Sequence, residues 1–174
     1  MPFHHVALIT SDLAATHRFY TEAMGFTLAK IVVGPTENPG GWARHVFYDT
    51  GEGLMAFWEL HDAALPAVDP ALSTGVGLPA WVNHLAFTAG HEGLGPHLRR
   101  WSSVGIDVVE VDHGFCRSIY ATDPNGTLVE WCHDTRPLDA TDRAEAEALL
   151  FDPAPRPDPA PSVTLHSATV SDAP

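Results

Sequence analysis

A chain of 174 residues, 45% apolar and 18% charged, has the make-up of a globular protein of one domain or of two small modules sharing a core. Nine basic against 22 acidic residues give a formal charge of −13, which argues against a nucleic-acid footprint and against a pocket for polyanionic substrates such as phosphates. No apolar run approaches the ~20 residues of a membrane helix, "MPFHHVALIT" lacks the layout of a signal peptide, and two cysteines build no disulfide framework, so a cytoplasmic setting is expected.

"HHVALIT" (4–10) reads as a strand, and "SDLAATHRFYTEAMG" after it sets Leu13, His17, Tyr20 and Met24 on one helical face. Ser11 is the expected N-cap and Gly25 the expected C-cap. The β-branched run "FTLAKIVV" and the turn-bearing "ARHVFYDTGEGLMAFWEL" add three strands, so that 1–62 reads strand, helix and three strands. A Pro- and Gly-bearing connector occupies 63–80.

The same pattern returns over 81–134. "NHLAFTA" repeats the opening strand, "EGLGPHLRRWSSVG" repeats the helix with Leu94, Leu98 and Trp101 at helical spacing, and "IDVVEV" and "CRSIYATDPNGTLVEWC" supply three strands. His5 matches His84, Gly25 matches Gly105, and the pairs Tyr48/Glu59 and Tyr120/Glu130 stand at nearly equal offsets, which reads as an internal duplication. The predicted fold class is therefore α+β, two tandem βαβββ modules. Residues 135–174 change in composition: "TDRAEAEALLF" predicts a helix with an Asp142/Glu145 capping pattern, and "DPAPRPDPAPS" an extended, loosely held tail without chemistry.

Glu130 is out of place between Val129 and Trp131, since a carboxylate inside a sheet must be paired or bind a metal. Across a pseudo-two-fold, His5, His84, Glu130 and Glu59 would converge, and two imidazoles with a carboxylate suit Fe(II) and oxygen chemistry.

The segments "HHVALITSDLAATHRFYTEAMGF", "VNHLAF" and "YATDPNGTLVEW" resemble the vicinal oxygen chelate superfamily of glyoxalases, bleomycin-resistance proteins, fosfomycin-modifying enzymes and extradiol ring-cleavage dioxygenases, over residues 3–133. The resemblance implies a cupped mixed sheet around a metal held by His5, His84 and Glu130, with His4 the neighbouring competitor of His5. The run from Val111-Asp112-His113 through Ile119-Tyr120 and Asp123-Pro124-Asn125-Gly126 to Glu130 is similar to the extradiol signature. It implies an Fe(II) dioxygenase that opens a small aromatic diol with O₂. Tyr120 would orient the catechol, His113 would line or donate to it, and His61 would serve as acid–base group. Trp58, Phe115 and Trp131 are candidate apolar walls.

Mn(II), Zn(II) or Ni(II) are the alternative metals, and a homodimer follows from family habit alone. One rival function is a glyoxalase-like isomerase, lyase or epimerase with Glu59 as fourth ligand and base. Arg44 and Arg117 are then the best of few anchors for an anionic substrate. A fosfomycin-type transferase would need still more cations. The other rival is a metal-free antibiotic-binding resistance protein, which has no use for a ligand triad.

Overall fold

The computed structural model describes residues 3–168; the outermost parts of the ranges expected for the first module and the tail, 1–2 and 169–174, lie outside it. Two mixed sheets carry the fold. The first module runs β1 (His5–Ile9), α1 (Leu13–Arg18, continued by a π-helical turn over Phe19–Ala23), β2 (Thr27–Pro35), β3 (Trp42–Asp49) and β4 (Leu54–His61). Its strands lie in the order β1-β4-β3-β2, with β1 parallel to β4 and the other pairs antiparallel. The second module repeats this as β5 (His84–Thr88), α2 (Gly95–Ser103), β6 (Val108–Asp112), β7 (Cys116–Thr122) and β8 (Leu128–Asp134). The connector holds one short 3₁₀ turn, Thr74–Val76.

Local chemistry explains the boundaries. The carboxylate of Asp12, not Ser11, caps α1 by accepting from the Ala15 N–H at 2.9 Å. The helical stretch ends before Gly25, whose φ of +78° suits glycine. An added Cβ there would meet the Arg100 guanidinium at 2.6 Å, so Gly25 also lets α2 approach.

The chain beyond β8 departs from expectation. Helix α3 (Ala140–Leu149) is capped by Asp139, in a capping box with Asp142, rather than by Asp142 with Glu145. Beyond the proline-rich run, which is exposed and without helix or strand through 161, β9 (Ser162–His166) pairs antiparallel with β6 and extends the second sheet to β5-β8-β7-β6-β9, a strand the sequence did not predict. Alternation within "SVTLH" suits a strand, and the open edge of β6 gives it a partner. None of the helices among the described residues is long and apolar enough to cross a membrane.

One face of each sheet packs on the helices. Val46, Tyr48, Met55 and Phe57 from the first sheet and Ile119, Ala121, Val129 and Trp131 from the second join Tyr20, Met24 and Trp101 in a single core. Period-2 alternation leaves the other face of each sheet open.

The register also aligns the modules. His5 pairs with Leu54 and Ala7 with Ala56, as His84 pairs with Leu128 and Ala86 with Glu130. The counterpart of Glu130 is thus Ala56, and that of Tyr120 is Phe47. The expected equivalence of Glu59 and Tyr48 with Glu130 and Tyr120 gives way to this register.

The modules are joined at the "DPNG" turn. The buried Asp123 carboxylate accepts from the Asn125 N–H at 2.9 Å, the Thr127 N–H at 2.8 Å and the Tyr20 hydroxyl at 3.0 Å. Asn125 Nδ2 donates onward to Thr16 of the first module at 3.1 Å. Burial raises the Asp123 pKa, and these hydrogen bonds oppose the rise. Removing the phenol hydroxyl with Tyr20→Phe leaves a buried carboxylate short of one donor. The expected cost is about 1.5–3 kcal/mol in chemical denaturation; an unchanged midpoint would mean that this bond does not hold the modules together.

Candidate metal centre

On the open face of the second sheet, alternation aligns His84 of β5, Glu130 of β8 and Tyr120 of β7. Glu130 is 5% exposed, and its Oε2 lies 3.0 Å from His84 Nε2. His84 Nδ1 is 3.1 Å from the Trp81 carbonyl, an acceptor, so Nδ1 carries the hydrogen and Nε2 presents a lone pair in the neutral ring. A bare imidazole nitrogen and a carboxylate oxygen are both acceptors, and such a contact calls for a proton or a cation between them. Two ligands at about 2.1 Å from a first-row ion, at right angles, also stand roughly 3 Å apart. The pair fits half of an N/O metal site, with the Trp81 carbonyl orienting the imidazole.

Tyr120 pairs directly across from Glu130, and its hydroxyl is 3.0 Å from His113 Nε2. Burial pushes the Tyr120 pKa up to about 12, with the Ser118 hydroxyl opposing and the Glu130 carboxylate adding to the rise. Tyr120 is therefore a neutral phenol near pH 7. Farther along this face, burial and then Cys132 push the Cys116 thiol up to about 11, so it stays protonated.

His5 stands on the open face of the first sheet. It lines, together with His84, a cavity of about 680 Å³ at the seam between the modules. Its nearest polar partner is His4, with the two Nδ1 atoms 2.8 Å apart, and its ring lies 6.2 Å from that of His45 and 5.9 Å from that of Phe47. Among the described residues, no three metal-ligating side chains gather into one set. Of the three expected ligands, His84 and Glu130 meet while His5 keeps company with His4 and His45.

Glu59 and His61 face the other way. Odd positions of β4 from Met55 to Glu59 turn towards the helices, so Glu59 cannot share a face with His5. It lies 2.7 Å from Arg44 Nε and 3.0 Å from His61 Nε2, and the His61 ring stacks on Trp42 at 3.8 Å. The expected fourth ligand and the expected acid–base histidine thus form an ion-paired cluster away from Glu130. Trp131, an expected wall, is core and stacks on His97. Trp58 is on the open face of the first sheet, and Phe115 is exposed beside His113.

Sequence reading missed His45. It stacks on Trp58 at 3.9 Å, and burial first, then His5, lowers its pKa. The signal was there in the period-2 spacing of His45 and Phe47 in β3, which sets both on the face of His5.

Several solved structures share the fold. A variant of the fosfomycin resistance protein FosX of Listeria monocytogenes, complexed with Mn(II) and 1S,2S-dihydroxypropylphosphonic acid, superposes with a TM-score of 0.54 at 18% identity, covering 78% of this chain and 93% of that one. FosX of Mesorhizobium loti gives 0.51 at 19% identity, with 82% and 96% covered. A virulence protein of Salmonella typhimurium gives 0.51 at 21%, with 78% and 98% covered. No curated protein matches the sequence. Residues 3–131, which carry both modules up to the strand of Glu130, match the Glyoxalase/Bleomycin resistance protein/Dioxygenase superfamily, and the chain belongs to it.

Proposed function

We propose that the protein is an Fe(II)-dependent extradiol dioxygenase, opening the ring of a catechol-type aromatic diol with O₂. The observation that carries this reading is the row Glu130–Tyr120 with His84 and His113 at its ends: a buried carboxylate facing an imidazole nitrogen, with a proton or a cation called for between them, beside a phenol–imidazole pair able to handle a proton. His84 and Glu130 would hold the ion with His5 as third ligand, and the N/O donor set suits Fe(II). Mn(II), which FosX of Listeria monocytogenes binds in the same fold, is the second choice. When bound, the ion supplies charge stabilisation for the catecholate and the one-electron chemistry that O₂ requires.

The chain's own residues do the rest. The neutral Tyr120 hydroxyl holds a catechol oxygen by hydrogen bonding, and His113, 3.0 Å behind it, takes up the proton and returns it. His113 replaces His61 in the acid–base role because His61 is engaged with Glu59 on the other face. The ring bond next to the diol carbons breaks, and both atoms of O₂ end in a ring-opened semialdehyde acid.

A phosphonate or glutathione adduct fits less well. The register sets neither arginine nor lysine on the open face of the second sheet; Arg117 lies on the reverse face, paired with Glu110.

We place a homodimer with this reading. β1 and β5 each end a sheet with one backbone edge unpaired, and His5 is not gathered with His84 and Glu130 within the chain. A second copy that covers those edges would bring its own His5 to this pair.

Anaerobic loading with Fe(II), then catechol and O₂, should give stoichiometric oxygen uptake and a yellow product, whereas uptake absent with every catechol tried would end the dioxygenase reading. Glu130→Gln should retain less than a tenth of the bound metal after dialysis, measured by elemental analysis; full retention would remove Glu130 from the ligand set. Tyr120→Phe and His113→Ala should keep the metal and lose roughly 100-fold in kcat, and a loss confined to metal content would contradict their role. Mixing inactive His5→Ala with inactive Glu130→Ala protein under subunit exchange should restore about a quarter of the activity if the site is shared between copies. No recovery would place all three ligands in one chain.

A further inference from the structure

The register of the second sheet draws one row of side chains across all five strands of its open face: Ala86, Glu130, Tyr120, Val109, Leu165. The neighbouring row runs Thr88, Cys132, Ser118, Val111, Val163. Both rows change character midway. They are polar on β8 and β7, where the carboxylate and phenol sit, and wholly aliphatic on β6 and β9.

The aliphatic end is open to solvent, with Val109 37%, Val163 58% and Leu165 75% exposed. Strands about 4.8 Å apart put Leu165 roughly 10 Å from Tyr120 along the row.

This surface is built, not incidental to a frayed end. β9 holds five paired positions against β6. On the reverse face, His166 Nε2 meets Glu110 Oε2 at 2.8 Å, and Glu110 is held in turn by Arg117. The Ala168 N–H donates to the Asp107 carboxylate at 2.8 Å. β9 also lies beyond residues 3–131, the part matching the superfamily, so it is an addition to the two-module frame.

We infer that β6 and β9 bind an apolar substituent on the ligand whose polar head sits at Glu130 and Tyr120. The substrate class is then a catechol bearing an alkyl chain or second ring long enough to cover Val109 and reach Leu165, not catechol itself. The inference rests on the catechol reading of the polar end. Continuity of the row argues for the occupant: a head held at Tyr120 can send its substituent across β6 and β9 over Val109 to Leu165. Each methylene fully buried there would tighten binding roughly fourfold.

The test measures binding rather than turnover. Full-length protein loaded with Mn(II) is titrated calorimetrically with catechol, 4-methylcatechol and 4-hexylcatechol. The hexyl compound should bind at least tenfold more tightly than the methyl compound. In Leu165→Asp that ratio should fall to about one, with Leu165→Ser measured beside it in case the charge disturbs β9. Equal affinities for hexyl and methyl compounds in the wild type would overturn this inference and leave the catechol reading intact. Binding of none of the three would overturn the catechol reading itself. Sedimentation separates the rival occupant: if Leu165→Asp breaks a dimer while the hexyl preference persists, the face belongs to a second copy and the inference falls.

Discussion

The contact of the buried Glu130 carboxylate with His84 constrains most of what surrounds it. A carboxylate 5% exposed in a sheet costs several kcal/mol unless it is compensated. Its immediate neighbours, Val129 and Trp131, are locked into the core, so Glu130 has one direction to point. A slip of one residue in β8 would drive the carboxylate into the cluster of Trp131, Phe87 and Phe26 and turn Trp131 out to solvent. The core therefore positions the acid, and the acid in turn requires the imidazole that β5 delivers at 3.0 Å.

Duplication gave the chain two such sheets but not two such sites. Where the second module has Glu130 and Tyr120, the first has Ala56 and Phe47; where the second has Ser118, the first has His45. The first open face keeps His5 and becomes aromatic, with His45 stacked on Trp58 and close to Phe47. One half carries the buried carboxylate and the phenol–imidazole pair, and the other carries imidazoles and flat apolar surface. The joint between them is itself asymmetric: Asp123 and Asn125 reach Tyr20 and Thr16 across the module boundary, while Thr50, at the position of Asp123 in the first module, closes its own turn by donating its hydroxyl to the Gly53 carbonyl.

The two βαβββ patterns were legible because hydrophobic period and turn chemistry report local structure directly, as "DPNG" and the α1 face do. Glu130 was legible because it interrupts an apolar run, and His84 because "NHLAFTA" repeats "HHVALIT" and pairs it with His5. Glu59 misled because offsets counted along the chain do not see turn geometry. The β3–β4 and β7–β8 turns differ in length, and in a strand a shift by an odd number of residues reverses the face. Ser11 and Asp12 are both good caps, and only backbone conformation chooses between them. β9 was hidden for a topological reason. Its partner β6 lies far upstream, and the intervening proline-rich run suggests a tail with nothing to pair with.

Charge makes the last connection. Nine basic residues serve 22 acidic ones, and three arginines on or beside the sheets are already committed, while Lys30 of β2 lies on the open face of the first sheet. Arg44 is taken by Glu59, Arg117 by Glu110, and Arg136 by Asp142 of α3. Both sheet pairs lie on the faces opposite Glu130. The open face of the second sheet therefore meets a ligand with a carboxylate, a phenol, imidazoles and aliphatic side chains. A ligand carrying two negative charges would find no guanidinium or ammonium there. On the proposed reading, a diol that shed its protons only on reaching the ion would avoid that repulsion on approach, and the Tyr120–His113 pair would be the acceptor for those protons.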